Sequence, residues 1–261
     1  MFRSVFRKIT VKLFGAIATL NVKSPLFDRA FLALYSAYKK YIEAGPINRL
    51  QDFVVPGTVV FDVGANVGFF SRRFAEWVGD GEVIAIEPED RNYEMLISML
   101  QREHLTDRVR ALKAVAAAAP GRMLLEVNPL HPADHKISRS DEGVAVNALA
   151  LDDLVQASDK VSLIKIDVQG AEMLVLKGAA SMLKKNHPAL FVELHEEGLK
   201  EFGTSVSAIL EHLTQVGYEP YWLERTGPHR RTTPSEIREE VARMGYVDVL
   251  FLKIADYQRA S

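Results

Sequence analysis

Three carboxylates stand at or near the ends of apolar runs, and a glycine turn follows the first of them. The run Val59-Val60-Phe61-Asp62-Val63 leads into Gly64-Ala65-Asn66-Val67-Gly68, which reads as a buried strand, a tight turn and the start of a helix. Gly64 lets the backbone turn sharply where a Cβ would clash, and Gly68 lets the helix begin close to the strand or to a ligand. A second run, Glu82 to Ile86, ends in Glu87-Pro88, and a third, Leu163 to Ile166, ends in Asp167. If the strands are parallel neighbours, these acids meet in one crevice with Asp62. The chemistry this suits is the binding of a nucleotide-like cofactor along Asp62, Gly64, Ala65, Asn66 and Gly68, with Glu87 and Pro88 beside the turn and Glu87 accepting hydrogen bonds from a ribose diol. The spacing is D-x-G-x-N-x-G, not the G-x-G-x-x-G of a dinucleotide pyrophosphate site, because Asn66 takes the place of a second close-approach glycine. The bland alternative is an ordinary βαβ unit with a solvated acid at a strand end.

The elements that must position these residues alternate along the chain. After the opening strand, Val67, Phe70, Phe74, Trp77 and Val78 share one helical face, and Gly79-Asp80-Gly81 ends that helix before the second strand. A second helix is predicted from Asp90 to about Glu103, and a third strand from Val109 to Val115. Short strands at 123–127 and 144–148 surround a polar loop, Asn128 to Gly143, read as a lid or substrate loop. His131 and His135 lie in that loop, but Pro132 prevents a helix from aligning them and no carboxylate pair completes a metal site. Asp152 and Asp153 read as helix caps. A helix from Ala171 to Lys185 follows Asp167. The strand from Leu190 to Leu194 presents Glu193 and His195 at its end. A helix from Ser205 to Val216, a strand from Tyr218 to Leu223 with Pro220 pointing to an edge position, a capped helix from Thr233-Pro234-Ser235-Glu236 to Met244, and a strand from Val247 to Lys253 close the chain. The pattern predicts an α/β fold: a doubly wound, mostly parallel, seven-stranded sheet with an antiparallel edge hairpin.

Residues 1–56 read as a helical extension and 57–261 as one domain, with the helices from Asp28 to Leu50 and Ile47 to Phe53 walling the crevice. Within residues 1–20, apolar positions recur at helical spacing with Arg3, Arg7, Lys8 and Lys12 on the other faces. Such a helix packs on its own domain or a partner subunit, or lies on an anionic membrane surface. Ala16-Ile17-Ala18 imitates a signal-peptide cleavage site, yet the apolar run before it is too short for a comfortable h-region. The expected setting is cytoplasmic, with peripheral membrane contact through residues 1–20 as the second reading. The 261 residues carry a net charge of -2 with acids and bases interleaved, which offers no basic field for nucleic acid. The chain has no cysteine, which removes disulfides, thiolate nucleophiles and Cys-based zinc sites.

The layout is that of Rossmann-like class I methyltransferases. Four segments resemble the FkbM family in particular: 61–68 (FDVGANVG), Ile86-Glu87-Pro88, Leu151-Asp152-Asp153-Leu154, and 164–172 (IKIDVQGAE). The likeness runs from about Gly57 to Lys253, with Gln169 standing where many members have Glu. It implies S-adenosyl-L-methionine as cofactor and O-methylation of a hydroxyl on a sugar, polyketide or other small metabolite or glycan, and the sequence establishes no metal requirement. Because the sulfonium carbon is already electrophilic, the protein must mainly align an acceptor oxygen and remove its proton. Asp167, Glu172, Glu193 and His195 are the candidates for that proton, and Asp167 is also a candidate for the cofactor's amino group or for a plain ion pair with Lys165. The competing classes are a dinucleotide oxidoreductase and a noncatalytic module keeping the same fold.

Overall fold

The computed structural model describes residues 44–127, 136–138 and 143–253. The predicted helices upstream of Ala44, and His131 and His135, lie outside the described residues. The described part starts with a short helix, α1 (Ala44–Ile47), that contains Gly45 and Pro46, and a 3-10 helix over Asn48–Phe53. No helix among the described residues is long and apolar enough to cross a membrane.

The central sheet contains β1 (Val59–Val63), β2 (Glu82–Ile86), β3 (Val109–Leu112), β8 (Val161–Ile166), β9 (Ala189–His195), β10 (Tyr218–Trp222), β11 (Arg230–Arg231) and β12 (Tyr246–Lys253), in the order β11-β10-β12-β9-β8-β1-β2-β3. Seven of these are the expected strands, and β11 adds a two-residue edge opposite Tyr221 and Trp222. Pro220 is therefore one strand in from the edge. Strands β9, β8, β1, β2 and β3 are parallel, whereas β12 pairs antiparallel with both β9 and β10. All five residues of β1 are buried, as a strand covered on both faces requires.

Helices α2 (Phe69–Trp77) and α3 (Asp90–Arg102) cover one face of the sheet. There Phe70, Phe74, Leu96 and Leu100 pack with Val60, Leu163, Phe191 and Leu250. The other face carries α4 (Glu172–Gly178), α5 (Ala180–Lys185), α7 (Val206–Gln215) and α8 (Pro234–Met244), whose Val175, Leu176, Leu183, Ile209 and Ile237 pack on Phe61, Ile84, Ile164, Leu190 and Val249. A short α6 (Glu196–Glu201) follows β9. The order proceeds from β1 outward through β2 and β3 in one direction and through β8 and β9 in the other. The β1/β8 boundary is therefore the topological switch point, where crossovers diverge and leave a crevice at the carboxyl ends.

Two local expectations differ. The third strand stops at Leu112, and Val115–Ala116 (β4) joins β5 (Gly121–Glu126), β6 (Lys136–Ile137) and β7 (Val144–Leu149) in a second sheet, ordered β4-β7-β5-β6. Its core of Val115, Ala117, Leu125 and Val146 packs with Ala171 and against Val168, so it rests on the chain that follows β8. The helix expected over 171–185 is two helices. Gly178 packs so tightly that a Cβ would lie 2.0 Å from the Ala117 carbonyl, and α5 receives its own cap, the Asp152 carboxylate accepting the N–H groups of Ser181 and Met182 at 2.9 and 2.8 Å. The box expected at α8 is present: Thr233 Oγ1 accepts the Glu236 N–H at 3.2 Å, and the Glu236 carboxylate accepts the Thr233 N–H as well as Thr232 Oγ1.

Candidate active site

The turn after β1 is fixed from both sides. Gly64 has φ +75°, and a Cβ there would lie 1.8 Å from the Asp167 carbonyl oxygen, a conformation and a contact that only glycine allows. The N–H groups of Gly64 and Ala65 both donate to the Ile86 carbonyl at 3.0 Å. Asn66 follows in the left-handed region, φ 50°, and its Oδ1 accepts the Val67 N–H at 2.8 Å. Gly68 makes a close approach to the neighbouring helix, since a Cβ would sit 2.2 Å from Met99 Cε.

Glu87, at the end of β2, is 4% exposed. Its Oε2 accepts the Asn66 N–H at 2.8 Å and its Oε1 accepts the Glu89 N–H at 3.1 Å, leaving each oxygen a further lone pair. Burial pushes its pKa up to about 7, against the pull of those two amides. Pro88 is half-buried and follows it out of the strand. Asp62, expected in the crevice, is instead 0% exposed. Its carboxylate lies below the turn, accepting from Ser71 Oγ at 2.6 Å and pairing with Lys165 Nζ at 3.3 Å. The physical reason is register: Asp62 is opposite Lys165 within the β1/β8 pair, one residue before the strand ends, so its side chain belongs to the covered face.

Beyond β8 the edge opens into a recess lined by Asp167, Glu193, Asp248, Lys165, Phe70, Tyr246, Phe191, Ile166 and Ile47. The Asp167 side chain is 32% exposed and lies 3.7 Å from Lys165 Nζ. Gln169, held at φ 53°, donates its Nε2 to Asp167 Oδ1 at 3.4 Å and to Glu193 Oε1 at 3.3 Å, so an amide bridges the two carboxylates. Asp248 pairs across the sheet with Glu193, and Tyr246 with His195. His195 is half-buried at the start of α6, next to the recess and not among the residues lining it.

Glu172 is not among the residues lining the recess. It is 1% exposed, its Oε1 accepts the Gly170 N–H at 3.0 Å, and its Oε2 has no hydrogen-bond partner. Burial, opposed by the Gly170 amide, pushes its pKa up to about 7. Expecting it in the crevice overlooked that the helix beginning with it turns under the Gln169-Gly170 loop. Sequence reasoning also missed Tyr246, Asp248 and Phe191. A usable signal was present: an antiparallel closing strand must bring its first residues, here the polar ones of Tyr246-Val247-Asp248, to the edge where the parallel strands end. Among the described residues no cluster of His, Asp and Glu could hold a metal ion.

A doubly wound sheet with a glycine turn at its switch point, an acid at the end of the next strand and an antiparallel closing strand defines a Rossmann-like methyltransferase fold. The methyltransferase FkbM domain matches residues 62–220, and the chain belongs to that family. The chain is 27% identical over 140 residues to the hexuronic acid methyltransferase AglP of Haloferax volcanii, a match covering 52% of this chain and 56% of that protein. It is 25% identical over 182 residues to the 2-O-methyltransferase NoeI of Sinorhizobium fredii, covering 60% and 72%. Among solved structures, the FkbM methyltransferase of Methylobacillus flagellatus aligns with 17% identity and a TM-score of 0.48 over 94% of this chain and 59% of the other.

Proposed function

We propose that this methyltransferase uses S-adenosyl-L-methionine to methylate a hydroxyl oxygen of a sugar, another small metabolite or a glycan. The observation that carries the reading is the flanking of the Gly64 turn by two carboxylates at the switch point, buried Glu87 on one side and solvent-reaching Asp167 on the other. The donor set fits an adenosine cofactor: Glu87 keeps lone pairs for a ribose diol beside the Gly64 turn. When bound, the cofactor supplies an electrophilic methyl group. The remaining tasks fall to the recess, where Asp167 and Glu193 are placed to accept a proton from an acceptor hydroxyl and Tyr246, Phe70 and Phe191 offer apolar faces to a sugar ring. The sugar acceptor is supported by the names of two relatives, a hexuronic acid methyltransferase and a 2-O-methyltransferase. Because the chain spans about half the length of the first of these, its acceptor is inferred from class alone.

The test is calorimetry with S-adenosylhomocysteine, followed by detection of that product after incubation with S-adenosylmethionine and a panel of neutral sugars and uronic acids. Glu87→Ala is expected to weaken binding at least about tenfold, the scale of losing hydrogen bonds to a carboxylate. Unchanged affinity in a folded variant would remove Glu87 from the site. Protection of the fold by NADH instead would favour the oxidoreductase reading.

A further inference from the structure

Lys165 is the one Lys or Arg buried among the described residues, with its side chain 4% exposed. The simplest account makes it the counter-ion of Asp62. Its geometry says more. Nζ lies 2.6 Å from the Gly64 carbonyl oxygen, nearer than to Val63 O or Asp62 Oδ1, both at 3.3 Å, or to Asp167 Oδ2 at 3.7 Å, with the Phe70 ring 5.2 Å away. Val63 O also accepts the Asp167 N–H at 3.1 Å.

These contacts meet on one peptide plane. The Gly64–Ala65 peptide has its carbonyl held by Lys165 on the β8 side and its N–H held by Ile86 O on the β2 side, so it spans the switch point. Gly64 has no Cβ to restrict rotation about its own bonds. The orientation of that peptide is therefore fixed by what binds its two ends, and the next amide, Asn66 N–H, is the one that holds Glu87 Oε2. The same ammonium stands 3.7 Å from Asp167 on the recess wall.

We propose that Lys165 is a positioning residue for methyl transfer: its ammonium locks the Gly64 carbonyl, and through that peptide sets the turn, Glu87 and Asp167 in one geometry. The function assigned to the turn rests on the cofactor reading above, whereas the clamp itself does not. A buried ion pair replaced as a unit by neutral groups commonly keeps the fold, while removal of one partner leaves a costly lone charge. That asymmetry separates positioning from charge balance.

The experiment compares the full-length protein with Lys165→Met and with the double variant Asp62→Asn/Lys165→Met, in which the introduced amide oxygen still accepts from Ser71. Each is read by thermal melting, amide hydrogen exchange at Ala65 and Asn66, and calorimetry with S-adenosylhomocysteine. Lys165→Met is expected to melt below the wild type and the double variant to recover most of that loss. In both, the two amides are expected to exchange about tenfold faster or more, and affinity to fall by about tenfold or more. Lys165→Gln, which keeps a donor for Gly64 O, should restore part of both readouts. A double variant with wild-type exchange and wild-type affinity would reduce Lys165 to a counter-ion and overturn the proposal, as would a double variant that fails to fold. Wild-type protein that ignores S-adenosylhomocysteine would overturn the cofactor reading alone, since exchange at the two amides still reports on the clamp.

Discussion

The two sides of the β1/β8 boundary are built from different materials. On the β2 side, the polar groups are met by main chain: Ile86 O takes two amides, and Glu87 takes two more. On the β9 and β12 side, the groups are side chains facing side chains, with Gln169 between Asp167 and Glu193 and with Asp248 opposite Glu193. A site held by backbone keeps its shape under most substitutions and suits an invariant ligand. A site made of side chains changes with each substitution and suits the half of a reaction in which acceptors differ.

The sharpest way to break the main-chain side is at Gly64. A methyl group there would meet Asp167 O at 1.8 Å from a φ of +75°, and neither the turn nor β8 has room to yield. Gly64→Ala is expected to cost about 3 kcal/mol or more, lowering the melting temperature by roughly 6–12 °C for a chain of this size, and to abolish binding of S-adenosylhomocysteine. A wild-type melting curve would show that the turn relaxes freely.

The side-chain half should break differently, losing rate while keeping the fold. Asp167→Asn preserves shape and removes charge from a group that is 32% exposed and 3.7 Å from Lys165. With Asp167 in its proposed role, kcat/KM is expected to fall roughly 10²-fold. Stability should change by no more than about 1 kcal/mol, as for other partly exposed ion pairs. Full turnover with a much lower melting temperature would make Asp167 structural and move the base to Glu193 or His195.

Next in size is a pH effect from two buried carboxyls, Glu87 in the main-chain half and Glu172 at the start of α4. Glu87 and Glu172 are both raised to about 7 from 4.5, chiefly by burial. A carboxyl that holds its proton more tightly when folded stabilises the protein fully below pH 4.5, and that contribution is lost as pH rises through about 7. Glu172→Gln cannot titrate, so it should match the wild type near pH 4 and exceed it above pH 7 by on the order of 2 kcal/mol. Denaturant melts at the two pH values measure this, and parallel wild-type and variant curves would show that Glu172 is ionised without penalty.

The sequence was legible where one segment suffices and opaque where a partner was needed. Strands β1 and β2 end where their apolar runs end, because a strand covered on both faces is built mainly of apolar residues. The tight turn through Gly64 and Asn66 was legible because turn chemistry is local. The split between β3 and β4 was not found, since no glycine or proline marks it and the cause is distant: Val115 pairs with Ala148 instead of following β2. The burial of Asp62 and the tie from Lys165 to Gly64 O depend on register between strands about a hundred residues apart, which no short-range pattern encodes. Asp248 had a signal in strand direction, but its facing of Glu193 again required register.

The smallest effect expected, and the one that best tests the side-chain half, is at Gln169. Its amide donates to both Asp167 and Glu193 at 3.4 and 3.3 Å, long contacts that each contribute modestly but keep two acids apart electrostatically. Gln169→Glu replaces the shared donor by a third carboxylate and restores the residue found in the family pattern this segment resembles. Three acids within hydrogen-bonding distance cannot all ionise at low cost, so one proton is retained and titrates as a property of the group. The acidic limb of the pH–rate profile should then move upward by about one unit, with the rate at pH 7 falling less than about tenfold and recovering near pH 8–9. Binding of S-adenosylhomocysteine should change far less, because the hydrogen bonds of Gln169 go to Asp167 and Glu193 and not to Glu87 or the Gly64 turn. If the profile stays in place while cofactor affinity drops, Gln169 belongs to the cofactor side and the division between the two halves has been drawn at the wrong strand.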